Sequence, residues 1–336
     1  MPPSCGGAGW KAECKGPDGF RVWVGMGRPL RFLPTECPLL EVTCRTVQGR
    51  FLLRPSEEVN RVVLGVLARA ARRYRMSVCA FSFLSNHYHL LLRPESALQV
   101  AEFMNYFNGN VAREIGRLHR WGEKFWGQRY RAIPVSQEPA AQVARLRYLL
   151  EQGCKEGLVQ TPSAWPGAHC AGALLRMEPI RGVWYDRTGA WKARAANRRA
   201  RQSEFVVEES LELDRLPCWD DATPAQIREN IERLVDEIVR ETAARHRREG
   251  SRPVGERAIR RLHPHDRPRA PKRSPAPRFH AATKAVREML LLLYQAYLEA
   301  RARVVQALRD LEIPAPYPLP YGIPPRAVAA GLRGYG

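Results

Sequence analysis

Acidic residues are scarce in this chain. Its 336 residues carry 34 Asp and Glu against 54 Lys and Arg, a formal net charge of +20, with arginine prevailing over lysine. Such an excess binds phosphate backbones through counterion release whatever the fold, and so points to a polyanionic partner without separating DNA from RNA or an anionic membrane surface. Long apolar runs are also lacking. The most apolar short run, MLLLLY at Met289 to Tyr294, is flanked by polar residues and falls far short of the roughly 18 residues of a membrane span. The N-terminal stretch MPPSCGGAGWKAECKG has no apolar core of the kind a secretory signal needs, so a cytoplasmic protein with no membrane partner is expected. Eight cysteines are present (Cys5, Cys14, Cys37, Cys44, Cys79, Cys154, Cys170 and Cys218), yet none forms a C-x-x-C pair. That excludes a zinc ribbon and a dithiol redox motif, and free thiols are expected throughout. No internal repeat is present.

The chain does contain the stretch FSFLSNHYHLLL, Phe81 to Leu92. Side chains alternate along a strand, so His87 and His89 share one face while Tyr88 and Leu90 share the other. Two adjacent imidazoles can hold a divalent cation, although a strand can equally carry two histidines that only hydrogen-bond. Downstream, Val143, Leu146, Leu149 and Leu150 follow helical spacing, with Gly153 as a C-terminal stop. Tyr148 and Gln152 stand four apart and share a helix face. A nucleophile and an oxygen ligand could thus be offered together to an ion held by the histidines. Tyr74, Tyr106 and Tyr130 are the competing tyrosines.

The coarse pattern predicts a strand over LLEVTCRT, a tight turn near Gln48-Gly49 and a second strand over RFLL. A helix opened by Ser56, with Glu57 and Glu58 in its first turn, runs to about Tyr74. There follow a strand from Met76 to Leu84, the histidine strand, a helix from Ser96 to about His119, a strand near Tyr130 to Val135 and a helix from Glu138 to Gln152. Hairpins alternating with helices imply an α+β fold, an antiparallel sheet with helices packed on one face.

These segments, in this order, resemble the single-tyrosine HUH (His-hydrophobe-His) transposases, the insertion-sequence-200 type and their REP-associated tyrosine relatives. LLEVTCRTVQGRFLL is similar to the family's first hairpin, SFLSNHYHLLLRP to its histidine strand, and FMNYFNGNVAREIG to the following helix. KFWGQRYRAIPV is similar to the tryptophan-containing strand and YLLEQGCKEGLV to the catalytic-tyrosine helix. The resemblance spans about Arg28 to Val159. It implies a ferredoxin-like HUH endonuclease domain over 28–160, with His87 and His89 as metal ligands, Tyr148 as nucleophile and Gln152 as third ligand. REP-associated members often have Asn-Pro where this chain has Gln152-Gly153. The resemblance further implies a homodimer, single-stranded or hairpin DNA as partner, and transposition through a 5′-phosphotyrosine and a free 3′-hydroxyl. A tyrosine hydroxyl titrates near about pH 10 and attacks phosphorus poorly unless the phosphate is polarised. A divalent ion on a mixed nitrogen and oxygen set, Mg²⁺ or Mn²⁺, suits that need.

Arg129, Tyr130, Arg145, Lys155, Arg198 and Arg199 are the expected DNA contacts. Residues 1–27 read as an irregular tail and 161–217 as a packed extension. Residues 218–336 read as a basic C-terminal region with a charged helix from Thr223 to about Arg248, a flexible Arg/Pro linker, a helix over about Ala281 to Leu311 and an extended Pro-rich end. This region is expected to add affinity rather than chemistry. His263 and His265 repeat the His-x-His spacing around a proline and read as incidental. Two other classes fit parts of the pattern: a non-catalytic DNA-binding protein on the same scaffold, and an RNA-binding module that stacks bases on sheet aromatics.

Overall fold

In a computed structural model the protein is described over residues 11–15, 21–25, 30–196, 201–268 and 277–309. Two short strands, β1 (Lys11–Lys15) and β2 (Arg21–Gly25), pair antiparallel with Lys11 opposite Gly25. The sequence suggested an irregular tail there. The described residues there are strands instead, the second of them β-branched and aromatic in sequence at Val22, Trp23 and Val24.

The central layer follows in the order β3 (Leu39–Arg45), α1 (Glu57–Tyr74), β4 (Ser77–Leu84), β5 (His87–Arg93), α2 (Ala97–Leu118) and β6 (Arg131–Val135). The four strands lie in the order β4-β5-β3-β6 and every neighbouring pair is antiparallel. This βαββαβ arrangement, with its first strand between the third and the fourth, has ferredoxin-like topology, the antiparallel sheet with packed helices that the pattern predicted. Both helix starts are set by local chemistry: Ser56 Oγ accepts from the Val59 N–H and Ser96 Oγ from the Gln99 N–H, each at 3.1 Å.

Alternation along β5 then divides the sheet. Tyr88 is wholly buried against Phe83, Phe107 of α2 and Trp126, and its hydroxyl donates to Asn108 Oδ1 at 2.7 Å. The opposite face carries Glu41, His87 and His89, and α3 (Pro139–Leu150) lies against it.

Two local expectations are corrected. RFLL is not a strand, because β5 and β6 already occupy both edges of β3; the Phe51 N–H donates to the Asp266 carbonyl and the Leu53 N–H to the Ser85 carbonyl, each at 2.9 Å. The tyrosine helix ends at Leu150, and a short helix, α4 (Gln152–Lys155), follows. Gly153 sits inside α4 instead of stopping α3. A Cβ there would lie 2.9 Å from Val159 Cγ2 and 3.2 Å from Trp165 Cε3, so close packing requires the glycine.

The remaining elements are α5 (Ala171–Arg176), β7 (Ile180–Tyr185), α6 (Arg187–Ala196), β8 (Val206–Leu211), α7 (Pro224–Glu249), α8 (Glu256–Arg261) and α9 (Lys284–Arg309). The antiparallel pair β7-β8 packs across α1, with Gly65 against Gly182 and Val183. The Thr223 hydroxyl caps α7. The segment read as a flexible linker is docked up to Pro268: the Val254 and Gly255 N–H groups donate to Gly157 and Leu158 carbonyls, Ile259 is buried, and Arg54 donates to the Arg260 carbonyl. Residues 269–276 and the Pro-rich end lie outside the described residues. Phe279 and α9 enclose a second apolar cluster with Phe32 and Cys37. Among the described residues no helix is long and apolar enough to cross a membrane.

Candidate active site

The β4–β5 connection ends in Asn86, and this residue fixes the first histidine. Its Oδ1 lies 2.7 Å from His87 Nδ1, while its Nδ2 donates to the Gly49 carbonyl at 3.1 Å and its own carbonyl accepts from both the N–H and the hydroxyl of Thr46. His89 stands opposite Thr43 of β3, one pleat from Glu41 on the same face. His89 Nδ1 lies 2.8 Å from Glu41 Oε1. The two imidazole centroids are 5.2 Å apart. Each ring spends Nδ1 on an oxygen acceptor, which leaves each Nε2 with its lone pair, the tautomer a metal ligand needs.

Glu41 is 2 % exposed, a carboxylate inside an apolar strand. Its second oxygen lies 2.7 Å from His280 Nε2, off the line of a well-formed hydrogen bond, and 3.7 Å from Arg145 Nη1. Burial pushes the carboxyl up, but its contacts with His280 and His89 outweigh it and hold Glu41 well below the usual carboxylate range. For His87, burial first and then the proximity of His89 and Arg45 depress the imidazolium well below the ordinary histidine range. A neutral ring follows at pH 7, as ligation requires.

Tyr148, half-buried on α3, meets His89 edge-on with ring centroids 5.4 Å apart. The Arg145 guanidinium and the Lys155 ammonium each lie 4.7 Å from the centre of its ring. Two expected DNA contacts therefore converge on the candidate nucleophile, where they can attract a phosphate. Gln152 is 3 % exposed, and its amide nitrogen donates to the Tyr148 carbonyl at 3.0 Å. The side chain thus grips the turn that carries Tyr148, and its Oε1 remains an acceptor.

The other residues singled out in the sequence lie elsewhere or outside the described residues. Tyr130 is buried at 6 % exposure, with the Arg31 and Arg129 guanidinium groups over its ring. Arg198 and Arg199 lie outside the described residues. The His263–His265 rings are 5.0 Å apart, much like the first pair, but His265 Nε2 is on the His119 carbonyl and His263 Nδ1 accepts from the His265 N–H. That pair closes a turn. Tyr106 stacks on Trp184, and Tyr74 packs on Tyr106, away from the histidines.

Among the described residues no three His, Cys, Asp or Glu side chains converge on one point as ligands. His87 and His89 fit two nitrogen positions of a divalent ion, with oxygen donors to complete it. Three residues that shape this site were not singled out by sequence reasoning. Glu41 had a signal, a lone charge on the histidine-bearing face of an apolar strand; Asn86 had a weaker one as the polar half of a two-residue turn. His280, which reaches Glu41 from the C-terminal region, had none.

Residues 50–152 match the family described as "Transposase IS200 like". No curated protein matches the chain. Among solved structures, a REP-associated tyrosine transposase bound to a REP hairpin is 14 % identical, with 44 % of this chain and 84 % of that one covered at a TM-score of 0.37. A candidate transposase from Deinococcus radiodurans R1 is 21 % identical, with 32 % and 86 % covered at a TM-score of 0.25. Over residues 50–152, which include His87, His89, Tyr148 and Gln152, the chain is thus similar to the IS200-like transposases.

Proposed function

We propose that the protein is a transposase-like nuclease and strand transferase that cuts single-stranded or hairpin DNA with Tyr148. The observation that carries this reading is the approach of the Tyr148 ring to His89, within a site whose two histidines both present Nε2. His87 and His89, completed by the Gln152 amide oxygen, would hold Mg²⁺ or Mn²⁺. Such an ion, when bound, polarises a non-bridging phosphate oxygen and stabilises the charge of the transition state.

The chain's own residues supply the rest. Arg145 and Lys155, both close to the phenol ring, draw the scissile phosphate to Tyr148 and offset its charge. Tyr148 Oη forms a bond to phosphorus as the bond from phosphorus to the 3′ oxygen breaks. The phenolic proton passes to water, and the departing 3′ oxygen takes a proton from water. The 5′-phosphotyrosine keeps the energy of the cleaved bond, so a later 3′-hydroxyl can reverse the step without ATP. The net charge of +20 supplies the salt-dependent affinity for the strand.

The test is to incubate the full chain with single-stranded DNA from the flanks of its own gene and Mn²⁺. A metal-dependent covalent adduct is expected, and Tyr148→Phe should lose it while binding DNA as before. Adduct formation by Tyr148→Phe at the wild-type rate would overturn the assignment.

A further inference from the structure

The buried carboxylate of Glu41 stands between two histidines, one bonded to it and one in close contact off the line of a well-formed hydrogen bond. One oxygen lies on His89, and the other lies 2.7 Å from His280, a residue far downstream that reaches the sheet from the C-terminal region. His280 is firmly seated. It bridges Val135 in parallel along the β6 edge, its N–H donates to the Pro134 carbonyl, and its carbonyl accepts from the Ser136 N–H, both at 2.9 Å. On one side Phe279 is buried among Phe32 and Tyr294. On the other, the Ala282 and Thr283 N–H groups donate to the Glu138 carboxylate at 2.8 and 3.0 Å. Main-chain bonds, an aromatic anchor and a carboxylate clamp therefore all serve to hold one imidazole against Glu41.

We propose that His280 is a positioning residue for the His89 ligand, acting through Glu41: by holding Oε2 it keeps Oε1 on His89 Nδ1, so that His89 Nε2 stays directed at the metal. The inference rests on the metal-dependent reading above and extends it beyond residues 50–152, since neither Glu41 nor His280 lies in that segment. Without His280, the remaining neighbour of Oε2 is Arg145 at 3.7 Å, too long to fix the rotation of the carboxylate. Outer partners of metal-bound histidines generally set affinity by about 10- to 100-fold.

The experiment is calorimetric titration of the full-length protein with Mn²⁺, accompanied by cleavage rates across a Mn²⁺ series. His280→Ala should weaken Mn²⁺ binding by about tenfold, the low end of that range because the residue acts through a second one. Its cleavage rate should fall at limiting Mn²⁺ and recover at saturation, with KM for DNA unchanged. His280→Gln, which retains an N–H, should restore most of the affinity. Glu41→Gln should weaken binding at least as much as His280→Ala, and the double variant should be no worse than Glu41→Gln alone, because both residues act along one line. Should His280→Ala lose its fold by circular dichroism, His280→Leu keeps the packing volume and carries the same comparison. Wild-type Mn²⁺ affinity in folded His280→Ala or His280→Leu, or additive losses in the double variant, would overturn the proposal while adduct formation by the wild type left the cleavage reading intact. A wild-type protein that neither binds Mn²⁺ nor forms an adduct would remove both.

Discussion

The placement of Tyr148 should weaken in acid, and the cause is a histidine outside the site. His169 joins β4 to α3: its backbone bridges Ser82, its Nε2 donates to the carbonyl of Leu149, next to Tyr148, and its Nδ1 accepts from the Ala171 N–H. Both ring nitrogens are therefore used, one as donor and one as acceptor, and a second proton would set two donors against each other. Burial lowers the imidazolium to about 4, against the smaller opposing effect of the Leu149 carbonyl. In the unfolded chain a histidine titrates near about 6.5. The folded value is depressed, so the stabilisation is complete above about pH 6.5, is lost as pH falls and is gone near about pH 4, where the shift amounts to roughly 3 kcal/mol. His169→Asn retains an acceptor for the Ala171 N–H and cannot titrate. It should cost about 1 kcal/mol at pH 8 through the lost Leu149 bond and flatten the stability profile between pH 6.5 and 4. Urea unfolding across that range for both proteins measures the difference. A wild-type-minus-variant gap that stays constant from pH 8 to 4 would refute the reasoning.

Two further outcomes follow from the packing and the histidine pairs. Gly65→Ala should destabilise the protein by about 3 kcal/mol or more, since its Cβ would stand 2.1 Å from the Val183 carbonyl oxygen and must drive the β7-β8 pair off α1; a thermal melt within a degree of wild type would contradict this. His87→Ala combined with His89→Ala should abolish Mn²⁺ binding in calorimetry and cleavage with it, whereas His263→Ala with His265→Ala should leave both in place because those rings serve backbone groups; unchanged affinity in the first double variant would refute the site.

Elements whose boundaries rest on local chemistry were legible in the sequence. Ser56, Ser96 and Thr223 cap their helices through their own hydroxyls, and the alternation around Tyr88 settles which face of β5 is core. What depended on distant partners was not. RFLL has strand composition, but the edges of β3 were already taken by β5 and β6. The Arg/Pro segment lacks core formers and looks unfolded in isolation, yet its backbone is bonded to the loops at Gly157 and Phe51. At the candidate site, the spacing of His87 and His89 was visible because both lie on one strand, and that of Tyr148 and Gln152 because they stand four residues apart, although α3 ends between them. Glu41 and His280 join that group only through sheet register and tertiary docking, which no local period encodes, whereas Asn86 stands beside His87 in the chain.

The central claim is that one tyrosine, Tyr148, becomes bonded to the 5′ phosphate of a cut strand. The direct measurement is peptide mapping by mass spectrometry of the covalent adduct formed with single-stranded DNA in Mn²⁺. A single nucleotide-modified peptide is expected, the one containing Tyr148, and none in the His87→Ala/His89→Ala protein. Modification on Tyr74, Tyr106 or Tyr130, or an adduct that forms equally well without the two histidines, would contradict it.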